Sequence, residues 1–391
     1  MTPTEAWCTT RMGEFVSLQR GYDLPLTTMR PGSVPVLGSA GVNGHHDVAR
    51  AAGPGVVIGR SGASFGVAHF VARAYWPHNT VLFVTDFHGN DPRFVYYLLV
   101  KTDFSGLNSG SAQQSLNRNF VHAIPVSVPP VDVQRKIAAV LSAYDDLIEN
   151  NLRRIRILEE MAQTIYSEWF VNFRFPGHEQ VPMVDGLPEK WETVRLDAIY
   201  DTSSGGTPSR KQSSYFGGTI GWLKTKELND SFIYDTEEKL TDEGLSNSSA
   251  KVFPADAVVV AMYGATIGKL GILGAPAATN QACCVLTQRS VEFGRAYAFL
   301  TLLAKRDDLI GLRAGAAQQN ISQAVIKAFP VLRPSPQVVG AFGATVDPLL
   351  DLIGVLSRQT ANLHATRDLL LPKLVSGELD VSELDIEVPE E

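Results

Sequence analysis

The stretch VQRKIAAVLSAYDDLIENNLRRIRILEEMAQTIYSEWFVNF, residues 133–173, decides how the rest of the chain is read. Its seam runs through Ile137, Leu141, Tyr144, Ile148, Asn151, Ile155, Leu158, Ala162, Ile165 and Trp169, at steps of four and three. That unbroken spacing is the heptad pattern of a helix that packs along its length on another helix. At 1.5 Å per residue the segment is about 60 Å long, more than a globular domain needs, so it reads as a spacer. Asn151, the single polar member, is the kind of residue that fixes the register of such a pair.

The partner lies in the same chain. A shift of 205 residues recovers the seam at Phe342, Val346, Leu349, Ile353, Leu356, Thr360, Leu363, Arg367, Leu370 and Leu374. Pro348 and Pro372 interrupt this copy, and Asp347-Pro348 has the form of an N-cap followed by proline at the first helical position. The expectation is therefore a short helix followed by a helix over 348–371, paired antiparallel with 133–173. The alternative is two unrelated amphipathic helices, each packed on its own domain.

The repeat extends well beyond the helices. VVIGRSGASFG at 56–66 matches VVVAMYGATIG at 258–268, and GSAQQSL at 110–116 matches GAAQQNI at 315–321. Pro125 and Pro129 match Pro330 and Pro334. Each unit is thus a β-rich domain followed by a long helix, and the chain holds two of them. The boundaries expected are a first domain at 1–130, a spacer helix at 131–173, a Pro/Gly-rich linker at 174–190, a second domain at 191–335, C-terminal spacer helices at 336–377 and an acidic tail at 378–391. Between the shared pieces the loops differ freely, as in a pair of recognition modules on one scaffold.

Composition narrows the function classes. The 391 residues are 45% apolar, enough for two or three cored domains. Lys and Arg number 34 against 41 Asp and Glu, and seven of the acids lie in 378–391, so the body of the chain is neutral. No global basic field exists, and any polyanion site must be a local patch. The tail reads as a solvated terminus. Three cysteines without metal spacing fit a reducing cytosol. No leader pattern or convincing membrane span is expected, and the protein reads as soluble and cytoplasmic.

Catalytic signatures fail one by one. GATIGKL at 264–270 has three residues between its glycines and leucine where a phosphate loop needs Ser or Thr, so a tight glycine turn is the better reading. The histidines have no ligand spacing, and no metal is expected. No nucleophile elbow and no adenine-methyltransferase motif is present. The Gln-Gln pairs carry more information, because glutamine bonds adenine at two points in the major groove. Candidates for DNA contact are Arg20, Tyr22, Arg60, Ser64, Gln113 and Gln114 in the first repeat. In the second they are Thr207, Ser209, Arg210, Lys211, Lys224, Lys226, Thr266, Lys269, Gln318, Gln319 and Asn320. The basic members are the better phosphate candidates. Trp169, Phe170 and Phe173 end the long helix in an aromatic cluster and are the candidate partner-binding residues.

The order and duplication of these motifs resemble the specificity subunit of type I restriction–modification systems. The resemblance rests on QRGYDLP at 19–25, GGTPS at 205–209, both G-x-A-Q-Q loops, Pro129-Pro130 before QRKI at 134–137, SEWF at 167–170 and LPKLVSGEL at 371–379, and it covers essentially the whole chain. It implies an α+β fold: two repeated β-rich target-recognition domains separated by an antiparallel pair of long conserved helices, a coiled coil with pseudo-two-fold symmetry. It also implies that each domain reads one half of a split, asymmetric site in double-stranded DNA. Two methyltransferase subunits dock beside the helices and bring the S-adenosylmethionine, and restriction or motor subunits join them where cleavage occurs. The chain itself binds no cofactor and does no chemistry. A helix over 348–371 would span about 36 Å, near one duplex turn of about 34–36 Å. The competing reading from another class is a protein-binding scaffold that grips two partners.

Overall fold

The computed structural model describes residues 7–110, 114–312 and 320–388. It divides into two compact units, Met1–Glu149 with Asn362–Glu391, and Asn150–Ala361.

In the first unit an antiparallel sheet has the order Ser17–Arg20, Val81–Asp86, Gly55–Gly59, Ala68–Val71. Strand Gly55–Gly59 is buried at every residue because it is covered on both faces. Val56 and Ile58 point into the main core, and Val57, on the other face, packs with Leu37, Tyr75 and Phe83. A smaller sheet places Val34–Gly38 between Gly41–His46 and Trp76–Pro77, the last pair parallel. Cys8–Arg11 pairs with Pro125–Val128 and brings the two ends of the domain together. Helix Pro92–Lys101 starts where its spacing predicts, with the Phe94 N–H donating to the Asp91 carboxylate at 2.8 Å and proline at the first turn. It delivers Phe94, Val95, Leu98 and Leu99 to the core.

The second unit repeats this topology. Its main sheet runs Tyr200–Ser204, Cys283–Gln288, Val258–Ala261, Leu270–Leu273, with Ser231–Ile233 added at the edge. Glu192–Arg195 pairs with Pro330–Arg333 as the terminal strands of the first unit do. The parallel pair recurs between Phe216–Leu223 and Ala277–Thr279. Val258 and Val260 share one core while Val259 and Ala261 share the other, the same alternation as at 56–58.

Two helices, Val131–Phe170 and Pro336–Ser376, run through both units. In the first, Ile137 and Leu141 share a core with Leu374 and Val375, and Arg367 donates to Asp145 at 2.6 Å. In the second, Tyr166 and Phe170 share a core with Phe342, Val346 and Leu350. Numbers rise along one helix as they fall along the other, so the pair is antiparallel within each unit. Within each unit the helices are also packed on the β-domain.

Three expectations need correction. The C-terminal helix is one element of 41 residues that passes through Pro348 and Pro372, not a short helix followed by 348–371. An interior proline costs about 3 kcal/mol, and here the buried flank of Phe342, Val346, Leu350 and Ile353 offsets it. At about 62 Å, this helix also removes the match to one duplex turn. The central helix stops at Phe170 rather than at 173, where Phe173 turns to φ +58°. Finally, the segments read as linker and tail are packed. Phe175 stacks on Trp191 with centroids 5.0 Å apart, Val381 is buried, and Lys136 Nζ donates to the Ser382 and Leu384 carbonyls at 2.6 and 2.8 Å.

Pro336–Ser376 is long and apolar enough to cross a membrane by length and composition, with a mean hydropathy of 1.6 in its best window. Its apolar residues serve two neighbours, the central helix and a β-domain. Asn151 is buried as its seam position requires, as is Thr360, whose hydroxyl has no hydrogen-bond partner among the described residues.

Candidate nucleic-acid interface

In the first unit a polar concavity of about 650 Å³ collects Arg20, Tyr22 and Arg60 from the sequence candidates, and adds Arg118, Asn117 and Ser109. Each reaches it from a different element. Arg20 ends strand Ser17–Arg20, Arg60 follows strand Gly55–Gly59, and Arg118 begins helix Arg118–His122. The Asn117 side chain caps that helix by accepting from the Asn119 N–H at 3.0 Å. Tyr22 is held by its neighbours: its ring lies 5.8 Å from Phe83 and 6.4 Å from Trp76, with the Arg50 guanidinium 5.5 Å away.

The loop carrying the first Gln-Gln pair springs from the rim of this concavity. Ser61 bridges to Ser115, the Leu116 N–H donates to the Arg60 carbonyl at 2.8 Å, and the Asn108 side chain accepts from the Gly110 and Ser115 N–H groups. Tyr263 and Asn320 make the corresponding bridge in the second unit. Gln114 is exposed but lines a different depression, beside Phe65 and Phe104. Gln113, Gln318 and Gln319 lie outside the described residues.

Four of the five basic candidates of the second unit are already engaged. Arg210 donates to Glu238 at 2.5 Å, Lys224 donates to Glu238 at 2.7 Å, and Lys226 pairs with Glu237. Arg210 and Lys224 hold the Glu238 carboxyl down at about 2. Lys269 pairs with Asp230 at 2.8 Å, which also receives Arg306. Lys211 is exposed and has no carboxylate within 4.0 Å among the described residues. The expectation that Arg210, Lys224 and Lys226 present free charge is therefore corrected, because acids 11 to 28 residues further along the chain neutralise them. Glu238→Gln should release Arg210, leave Lys224 with Glu237 alone, and steepen the salt dependence of binding to arbitrary duplex DNA, measured by fluorescence anisotropy. An unchanged slope would show that these cations do not face DNA.

The remaining candidates are structural neighbours of turns. Ser64 and Thr266 sit in matching turns between Gly62 and Gly66 and between Gly264 and Gly268, all at φ between +75° and +83°. Thr207 bonds Gln281, and Ser209 is exposed. Gly205 and Gly206 precede them because a Cβ at either would strike the backbone of Thr279 or Ser249.

The partner-binding reading of the aromatic cluster is also corrected. Phe170 is 2% exposed and packs at 4.8 Å from Phe342 and 4.9 Å from Tyr297. Trp169 lies on Phe342 and Phe173 on Trp191. The cluster is therefore spent inside the unit. Sequence reasoning missed Arg118, whose signal was available in the repeat: it opens its helix where the second copy has Gln323. Among the described residues no group of three His, Cys, Asp or Glu side chains is placed to hold a metal.

Duplicated β-domains, each packed on both long helices and each with polar loops at matching places, define a protein built of two recognition modules. A family model described as the type I restriction modification DNA specificity domain matches residues 5–160 and again 188–340, and the chain belongs to that family. It is 25% identical over 303 residues to the type I restriction enzyme MjaIX specificity subunit of Methanocaldococcus jannaschii, covering 74% of this chain and 70% of that one. It is 24% identical over 361 residues to the HindI specificity subunit of Haemophilus influenzae, covering 74% and 77%. The fold is shared with the type I restriction–modification S subunit from M. genitalium, with a TM-score of 0.72 at 16% identity over 94% of this chain and 96% of that one. DNA specificity, not a scaffold that grips two proteins, is the function class these findings support.

Proposed function

We propose that each β-domain reads one half of a bipartite, asymmetric site in double-stranded DNA, and that the helix pair sets the distance between the halves. The observation that carries this reading is internal. The two domains share the strand order of the main sheet, and Arg20 opposite Leu82 has its match in Ser204 opposite Cys284, so different polar side chains stand at matching positions, as two different half-sites require. Two methyltransferase subunits dock on the helices. Leu152, Ile157 and Met161 of the central helix are exposed, more apolar surface than a free helix face needs. S-adenosylmethionine and the methyl transfer to adenine belong to those subunits, and this chain is not catalytic. Restriction or motor subunits join where cleavage accompanies methylation, and the complex works in the cytoplasm.

The test is co-expression with an adenine methyltransferase subunit followed by mapping of methylated adenines. A split, asymmetric site is expected, and absence of sequence-specific methylation would overturn the reading. One heptad inserted into each helix adds about 10 Å, on the order of three base pairs of duplex rise. The unread gap should lengthen accordingly, and an unchanged gap would remove the helices from any role in spacing.

A further inference from the structure

The concavity of the first unit has features that no neighbouring group satisfies. Arg20, Arg60 and Arg118 line it with a single acid, Asp23, which is 3.8 Å from Arg20 and also accepts from Asn79. Arg60 and Arg118 have no carboxylate within 4.0 Å among the described residues. Arg60 is half-buried, and among the described residues its guanidinium makes one hydrogen bond, a 3.5 Å approach to the Asn79 carbonyl. Burial, and secondarily the neighbouring Arg20, pull its guanidinium below the ordinary value. A partly desolvated arginine beside other arginines is unfavourable unless an anion arrives.

The second unit lacks the whole arrangement. Arg20 lies opposite Leu82, and its counterpart opposite Cys284 is Ser204. Arg60, just past its strand, corresponds to Met262, which is buried. Arg118, the first residue of its helix, corresponds to Gln323. Three positions that are cationic in one repeat are neutral in the other.

We infer that Arg20, Arg60 and Arg118 form a phosphodiester-binding site on the first domain, and that this domain supplies most of the electrostatic anchoring while the second contributes mainly selectivity. This rests on the DNA-reading function proposed above. Shape argues for backbone rather than bases. A concave cationic surface accepts the convex sugar–phosphate ridge of a duplex, whereas groove edges are reached by projecting elements. Guanidinium groups bond phosphate oxygens in two-point fashion, and Tyr22 and Asn117 add neutral donors at the same surface. With the backbone held there, Ser109 and Ser115 flank it at the same surface.

The test is binding of the full chain, alone and with its methyltransferase partner, to a random-sequence duplex several turns long across a salt series. The Arg20→Ala/Arg60→Ala/Arg118→Ala variant should lower the slope of log K against log salt by about 2–3. A Lys211→Ala/Lys251→Ala variant of the second unit should lower it by less than half as much. The triple lysine variant should keep the wild-type slope, because the three charges remain, and thermal unfolding of the alanine variant should match the wild type, which separates a lost site from a failure to fold. An unchanged slope in the triple alanine variant, while the wild type binds, overturns the site and leaves the DNA-reading function standing. A triple lysine variant that keeps its slope but loses site-specific methylation would assign these residues to bases and overturn the phosphate reading. A wild-type chain that shows no salt-dependent binding in either form would overturn both.

Discussion

Phe170→Ala is expected to destabilise the second unit by about 3–5 kcal/mol, the range for removing a fully enclosed aromatic ring. The ring is 2% exposed, with Phe342, Tyr297 and Trp191 at centroid distances of 4.8, 4.9 and 5.9 Å. These rings are rigid and belong to separate segments, so the cavity cannot collapse around the shorter side chain. Phe170 also ends the central helix, so its loss should fray the last turn along with the core. Thermal or urea unfolding of the full chain should show an earlier transition for the second unit. Trp169→Ala, at a half-buried position on Phe342, should cost less. A loss below about 1 kcal/mol for Phe170→Ala would place the ring outside the core.

Arg295→Ala should be the second large effect, at about 3 kcal/mol. The arginine side chain is 12% exposed and meets three carboxylates: Asp256, Asp347 at 3.1 Å and Asp351 at 2.5 Å. It ties helix Arg295–Ala304 to the C-terminal helix. Asp256 and Asp351 are more than half exposed, so water screens their share. The penalty falls mainly on Asp347, whose carboxyl burial already pushes above the ordinary aspartate value. Without Arg295 that value moves further up. An acid with a raised folded-state pKa costs stability above that value and nothing below the unfolded one. The gap between variant and wild type should therefore shrink as pH falls through the carboxylate range, and grow as pH rises above it. Stability measured by urea unfolding between pH 4 and 8 checks this, and a gap independent of pH would assign the loss to packing alone. The repeat's own counterpart, Arg93 with Asp146 at 3.8 Å, is more exposed, and Arg93→Ala should cost less than about 1 kcal/mol.

The sequence by itself determined the duplication, the antiparallel helix pair and the kind of domain each repeat forms. These are written in periodicity and spacing, which neighbouring residues enforce on one another: the 4-3 seam from Ile137 to Trp169, the glycine turns at 62–66 and 264–268, the capped start of Pro92–Lys101. Only the tertiary structure decided which side chains remain available. Arg210 and Lys224 read as free cations until Glu238 is brought back across the strand turn to meet them. Phe170 reads as a docking residue until Phe342 and Tyr297 close over it. Pro348 reads as a helix start until burial on both sides makes a continuous helix the lower state. In each case the outcome depends on a group 14 or more residues away, as between Lys224 and Glu238, and on whether it excludes water or cancels charge. A local pattern carries no record of that. The three arginines of the first unit remain uncommitted for the same reason, because the fold brings them together and supplies one carboxylate among them.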